Sequence, residues 1–225
     1  MIKRAFRILL FFLTVCMGVD AQGYYNSGGQ GTKLEYVRKK VKDGSIEWRH
    51  TMTVSEVKKL DNTTEITMRS SFFKDNGKPL YKTDIIEKMS VDKEGNYTAD
   101  METAMVTYIK ARAGLNATAT STVTAFPADI QPGDTLPEMT GQAKVGFLTY
   151  TYRLWERKAL RRETISVPAG MFDCIVMHEH KLEYGPGHRR DVVNITWYSK
   201  GIGFIRHDTY IEGELDTSEI LHSIN

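Results

Sequence analysis

Short segments of β-favouring residues, separated by tight-turn signals, follow one another along most of this 225-residue chain. The turn signals include Asp43-Gly44, Asn76-Gly77 and Gly185-Pro186-Gly187. Residues 46–54 alternate along one strand, with one side formed by Ile46, Trp48, His50, Met52 and Val54. The regular alternation of strands and helices that builds a parallel sheet is missing. These features predict an antiparallel β meander and argue against a Rossmann or α/β barrel fold.

Residues 100–112 are the one segment whose pattern fits both a helix and a strand. Met101, Met105 and Tyr108 recur at helical spacing, and Asp100 and Gly114 suit the two caps of a helix. The same residues also alternate as those of a strand do. We expect a helix that covers one face or end of the sheet, with a strand as the alternative.

Residues 116–145 form a long connection between the two strand-rich halves. Because proline cannot donate a hydrogen bond to a central ladder, Pro127, Pro132 and Pro137 limit regular strands here to short pieces or to sheet edges.

The second half continues the strand pattern to the end of the chain, with strands predicted at residues 146–155 and 161–167. Residues 172–184 are the longest strand candidate, and residues 218–224 fit a final strand or a short helix. Neither a fixed repeat nor a second domain with a linker is present, so residues 32–225 are predicted to form a single domain. The Gly-, Ser- and Tyr-rich residues 22–31 are predicted to be a flexible lead-in.

Residues 1–21 have the order of a secretory signal peptide: basic residues, then the apolar residues 8–17, then small residues up to Ala21. The apolar part is shorter than the roughly 20 residues that span a bilayer, so a transmembrane anchor is the weaker interpretation. We predict cleavage after Ala21 and a mature chain without a transmembrane helix, in the periplasm or associated with the envelope. Lipid attachment at Cys16 is the weaker alternative, because Val15 is a poor match to the small residue expected there.

Without the leader, the charge argues against a nucleic-acid-binding protein, and the cysteine content argues against a disulfide-stabilised one. The net charge of +2 comes from Lys3, Arg4 and Arg7 against Asp20, so the mature chain is close to neutral and lacks the signature of nucleic-acid binding. Only Cys174 remains, which leaves no internal disulfide, and a domain of about 200 residues does not need one. We expect this thiol to pack as a small apolar group.

Three blocks of the second half resemble a family of uncharacterised exported bacterial proteins. Residues 163–174 read Glu-Thr-Ile-Ser-Val-Pro-Ala-Gly-Met-Phe-Asp-Cys, and residues 197–206 read Trp-Tyr-Ser-Lys-Gly-Ile-Gly-Phe-Ile-Arg. Residues 127–137, Pro-Ala-Asp-Ile-Gln-Pro-Gly-Asp-Thr-Leu-Pro, resemble the connecting loop of that family. The family is similar in architecture to lipoprotein carriers of the LolA type. The resemblance therefore implies a mainly β fold, in which a curved antiparallel sheet forms an open half-barrel with a hydrophobic concave face and one or two short helices.

The sharpest chemical candidate is the pair His178 and His180, which point the same way about 7 Å apart in a strand. Two imidazoles so placed suit zinc, with His188, His207 or a carboxylate as further ligands, but the spacing by itself does not supply the third ligand that a zinc site needs. The sequence contains no Gly-x-Ser-x-Gly elbow, P-loop or dinucleotide fingerprint. We therefore predict no catalytic residue, no metal site and no cofactor, and keep His178 and His180 as a candidate pair of metal ligands.

Three functions follow from these observations, in order of preference. The first is a non-catalytic exported envelope protein that binds a hydrophobic ligand, a lipid or a partner segment on its concave face. The second is a structural or interaction component of an envelope assembly. The third is a metal-dependent enzyme that uses His178 and His180.

Overall fold

A computed structural model describes residues 23–225, so the predicted leader, its cleavage site and Cys16 lie outside the described residues. Fourteen strands and one helix follow one another in the described part of the chain. Their bounds are β1 Lys33–Lys40, β2 Ile46–Lys59, β3 Thr63–Phe73, β4 Ile85–Asp92, β5 Tyr97–Ala99, α1 Met101–Ala113, β6 Thr118–Ser121, β7 Ala125–Phe126, β8 Thr135–Leu136, β9 Met139–Val145, β10 Leu148–Val167, β11 Gly170–Gly185, β12 His188–Ser199, β13 Gly203–Ile211 and β14 Glu214–Ile224.

All fourteen strands belong to one antiparallel sheet. Its order is β6-β9-β10-β11-β12-β13-β14-β1-β2-β3-β4-β5-β7, with β8 paired to β10. Most neighbours are joined by hairpins, whereas β1 pairs with β14 and so links the two ends of the chain. The two ends of the sheet do not pair with each other, so the sheet is an open, curved half-barrel. The predicted mainly β fold is confirmed.

The helix predicted over residues 100–112 is confirmed, and the strand alternative is wrong. The Asp100 carboxylate accepts hydrogen bonds from the Thr103 backbone N–H at 2.9 Å and from its hydroxyl at 2.6 Å, which caps the first turn. Gly114, with a φ of 74°, ends the helix in the left-handed conformation that glycine adopts without strain.

The helix lies between the two ends of the sheet. On one side the Thr107 hydroxyl contacts the Ile86 backbone N–H at 3.1 Å, along the edge of β4. On the other side Met101 and Met105 pack against a small cluster of β9 and β10 side chains. Helix α1 therefore fills the gap that strand pairing leaves open.

The curved sheet encloses one of its two faces. Tyr97 of β5 stacks on Phe126 of β7 at 5.3 Å, and Phe126 reaches Tyr198 of β12 at 5.2 Å between ring centroids. The largest apolar cluster includes Leu34, Met52, Val54, Ile66, Met68, Val91, Ile205 and Leu221. Because these side chains are buried against each other, much of the interior is a packed core.

The start of the described chain differs from the predicted flexible lead-in. Tyr24 is 2% exposed and packs among Phe126, Ile130 and Ile175. The backbone of Gly23 accepts a hydrogen bond from Gly201 N–H at 2.9 Å. A composition rich in Gly, Ser and Tyr is common in loops. Here the side chain of Tyr24 is inserted in the core and holds the chain around it in place.

The longest strand is β10, not the predicted strand at 172–184. It joins two predicted segments, residues 146–155 and 161–167, into a single 20-residue strand. The join is a β-bulge between Trp155 and Lys158, where Glu156 has a φ of 49°. A bulge adds a residue and bends a strand without ending it, so a turn-like interruption in the sequence does not mark a strand end.

Candidate functional site

The two predicted histidines lie side by side on β11, next to the bulge of β10. Their ring centroids are 5.2 Å apart, and His180 also stacks on Trp155 at 5.1 Å. His178 Nδ1 lies 3.0 Å from the carbonyl oxygen of Glu156. Because a carbonyl only accepts, Nδ1 of His178 carries the proton and donates it.

The other candidate ligands do not join this pair. His180 Nε2 lies 3.1 Å from a carboxylate oxygen of Glu156, whereas His188 faces Glu183 at 3.6 Å and His207 contacts the Thr196 hydroxyl at 2.8 Å. Within residues 23–225, no three His, Cys, Asp or Glu side chains are grouped so that they can hold one metal ion. Within the described residues, His178 and His180 therefore lack the third ligand that a zinc site needs.

Cys174 is buried in the core and is the only cysteine in the described part of the chain. Burial, together with the negative charges of Asp173 and Glu163, raises the pKa of its thiol to about 12. The sulfur lies 3.6 Å from the carbonyl oxygen of Phe172. A thiol with this pKa stays protonated at neutral pH and does not act as a nucleophile.

A buried group of charged side chains, absent from the sequence predictions, lies on the enclosed face. We call Arg38, Glu47, His50 and Glu219 the Arg38 cluster. Arg38 is 5% exposed and Glu219 is 6% exposed. Arg38 Nε donates to Glu47 at 3.0 Å, its Nη1 lies 3.5 Å from Glu219, and its guanidinium covers the Trp48 ring at 4.7 Å.

Hydrogen bonds from neighbouring strands complete the Arg38 cluster. Arg38 Nη2 donates to the hydroxyls of Thr217 at 2.6 Å and Thr209 at 3.1 Å. Burial opposes ionisation of Glu219, but the hydrogen bond and charge of His50 and the charge of Arg38 outweigh it and lower the pKa of Glu219 to about 2. Every charge in this cluster has an opposite partner, which is typical of a structural ion network.

The Arg38 cluster corrects one expectation drawn from the resemblance to carriers. The enclosed face is not uniformly hydrophobic: apolar core fills part of it, and the Arg38 cluster occupies another part. One sequence signal could have revealed Arg38, because Leu34, Tyr36 and Arg38 alternate and therefore share a side of β1. Its partners on β13 and β14 lie 171 and 179 residues away and could not be read from local pattern.

A surface groove lies beside the start of α1. It has a volume of about 540 Å³ and lies between α1 and strands β2 to β5. Its apolar lining residues are Ile66, Met89, Met101 and Val123, and its charged lining residues are Glu56, Lys58, Glu65, Lys88, Asp100 and Glu102. We call it the α1 groove; it joins an apolar floor to a charged rim.

A second cavity, of about 400 Å³, lies at the bulge of β10. Glu156, Lys158 and His178 line it, together with only two leucines, Leu136 and Leu160. Of the predicted histidine pair, only His178 reaches this cavity. Its lining offers less apolar surface than the α1 groove does.

No helix within residues 23–225 is both long enough and apolar enough to cross a bilayer. No curated protein matches the chain. Two solved structures share its fold. One is a protein of Bacteroides fragilis NCTC 9343, assigned as exported and with a YmcC-like fold, which has a TM-score of 0.73 and 18% identity over 91% of this chain and 99% of that chain. The other is a protein of Parabacteroides distasonis ATCC 8503, assigned as a lipoprotein, with a TM-score of 0.71 and 17% identity over 91% and 99% of the two chains.

The two structures show the fold, whereas a match to a sequence family model shows the family of the chain. The model of the DUF3108-like family matches residues 29–221, which is nearly the whole described chain from β1 to β14. The match includes the Arg38 cluster, the α1 groove and the histidine pair. By this match the chain belongs to the DUF3108-like family.

Proposed function

We propose that this protein is a non-catalytic exported envelope protein that binds an apolar ligand, such as the acyl chain of a lipid, in the α1 groove. The observation that carries the proposal is the groove itself. Its volume of about 540 Å³ falls in the range of small-molecule sites, roughly 300–1,000 Å³. The open concave face is the less suitable site, because core side chains and the Arg38 cluster fill it.

The lining of the α1 groove suits an amphipathic ligand. Met89 and Met101 offer apolar contact, and methionine side chains adapt to ligands of different shape. Each methylene group removed from water contributes about 0.8 kcal/mol, so a short acyl segment is enough for measurable binding. The charged rim stays in water and can accommodate a polar head group.

Several features support a non-catalytic role. The thiol of Cys174 is buried with a raised pKa, and the charges of the Arg38 cluster are paired with one another. His178 and His180 are occupied by Glu156 and Trp155. Localisation to the envelope rests on the predicted signal peptide and agrees with how the two solved structures are assigned.

Uptake of a fluorescent fatty acid by delipidated protein tests the proposal. Val123 lines the groove and is 70% exposed, so Val123→Glu introduces a carboxylate there with little effect on folding. We expect probe affinity to fall at least about tenfold, because an acyl chain then removes water from an unpaired charge.

The matched control is Leu60→Glu, since Leu60 is 45% exposed and does not line the groove. This variant should bind the probe like the unmodified protein. A protein that takes up no probe, or equal loss in both variants, would show that the α1 groove is not the site.

A further inference from the structure

One end of the sheet gathers the C-terminal end of α1 and two hairpin tips. Thr118 of β6 pairs with Lys144 of β9, so the segment that follows α1 lies beside the β9–β10 tip. Thr151 of β10 pairs with Tyr184 of β11, which places the β11–β12 tip next to it. Every second hairpin of an antiparallel meander turns back at the same end of the sheet, so the β9–β10 and β11–β12 tips share one end, and three strand spacings of about 4.8 Å separate β6 from β11.

Each of these segments exposes one large apolar side chain to solvent. Leu115, just after α1, is 50% exposed, Phe147 in the β9–β10 turn is 96% exposed, and Tyr184 at the end of β11 is 58% exposed. Exposed apolar residues scattered singly need no explanation, but a phenylalanine that is almost wholly in water at a turn tip is costly to solubility. Three such residues lie on adjoining segments at one end of the sheet.

Four cations lie on or beside these segments. The C-terminal turn of α1 carries Lys110 and Arg112, and the β9–β10 tip carries Lys144. Lys82 joins them, because its backbone N–H donates to the Ala111 carbonyl at 3.3 Å. All four of these side chains are exposed. We call Leu115, Phe147 and Tyr184 with Lys82, Lys110, Arg112 and Lys144 the tip surface.

Acidic residues near the tip surface have polar or charged partners: Asp84, two residues from Lys82, accepts a hydrogen bond from the Ser71 hydroxyl at 2.6 Å. Glu183 contacts Lys181 at 2.7 Å, and Asp191 contacts Arg189 at 3.4 Å. The next tip, β13–β14, carries Glu212 and Glu214 and marks the boundary of the surface.

We propose that the tip surface docks the protein onto a bilayer that contains anionic lipids. Phe147, Leu115 and Tyr184 enter the region between head groups and acyl chains, and the four cations contact lipid phosphates. Separate apolar tips among cations fit a deformable lipid surface, whereas a protein partner favours one contiguous apolar patch. The proposal does not depend on the α1 groove, whose floor lies at the opposite end of α1.

Co-sedimentation with lipid vesicles tests the proposed membrane docking. The protein used is the full chain as processed and purified from its own cells. We expect binding to vesicles of mixed phosphatidylcholine and phosphatidylglycerol, weaker binding to phosphatidylcholine alone, and release as ionic strength rises. Phe147→Ser should weaken binding about tenfold or more, because burial of a phenylalanine is lost. Lys144→Gln should weaken it about fivefold, which is the effect of one cation near an anionic surface.

Controls come from the opposite end of the sheet. Met171→Ser removes a side chain that is 75% exposed at the β10–β11 tip, and Lys93→Gln removes an exposed cation between β4 and β5. Both variants should bind vesicles like the unmodified protein. No sedimentation with anionic vesicles would overturn the proposal in favour of a protein partner, and equal losses in Phe147→Ser and Met171→Ser would overturn the assigned surface.

Discussion

At the scale of single residues, the Arg38 cluster is the feature with the largest energetic consequence. A buried charge that loses its partner is strongly destabilising, because the remaining charge cannot return to water. The carboxylate of Glu219 has three partners. It accepts a hydrogen bond from Trp48 Nε1 at 3.1 Å and lies near the side chains of His50 and Arg38. Its carboxylate therefore holds together side chains from β1, β2 and β14.

Replacement of Glu219 by glutamine should lower the free energy of unfolding by about 3 kcal/mol. Glutamine preserves the volume and can still accept a hydrogen bond from Trp48, but it leaves Glu47 as the only carboxylate that pairs with Arg38. Urea unfolding followed by circular dichroism measures the change. Glu65→Gln, which breaks the exposed pair with Lys58 at 3.9 Å, should cost less than about 1 kcal/mol; similar losses in both variants would contradict a special role for Glu219.

At the scale of elements, α1 was predictable because its signals are local. Asp100 and Gly114 act as the caps that the sequence indicates, and the Met and Tyr positions follow helical spacing. Its location between β4 and β9 was not predictable, since it depends on which strands end next to each other. For the same reason β10 was predicted as two strands: the bulge at Glu156 is fixed by pairing with β11, not by residues 155–158 themselves.

The N-cap of α1 gives a test at this scale. Asp100→Ala removes the acceptor for the Thr103 N–H and should lower the free energy of unfolding by about 1 kcal/mol. Asp129→Ala is a suitable control, because Asp129 is exposed and lies outside the helix. If the two variants unfold at the same urea concentration, the cap contributes nothing to the stability of the native protein.

At the scale of the whole molecule, the sheet brings His207 of β13 and Glu219 of β14 together as neighbours on paired strands. Burial of the His207 imidazole lowers its pKa to about 4, with the positive charges of Arg38 and Lys181 acting in the same direction and Glu219 opposing them. The unfolded chain binds a proton at His207 near pH 6.5, whereas the folded chain does not until about pH 4. The burial of His207 in the folded sheet, which no local pattern specifies, thus couples folding to pH.

The direction of that coupling follows from proton binding. Between pH 6.5 and pH 4 the unfolded state holds more protons at His207, so stability falls as pH falls. Below about pH 4.5 the lowered pKa of Glu219 adds a second loss that extends to about pH 2. We expect the melting temperature to decrease steadily from pH 7 to pH 4, with His207 accounting for on the order of 2 kcal/mol.

A His207→Asn variant separates the two contributions. Its melting temperature should vary less between pH 6.5 and pH 4.5 than that of the unmodified protein, while the loss at lower pH remains. His222→Asn, at an exposed position of β14, should keep the original pH profile. An unchanged slope in His207→Asn would mean that other groups cause the acid sensitivity, and that the burial of this imidazole against the Arg38 cluster does not govern the stability of the sheet.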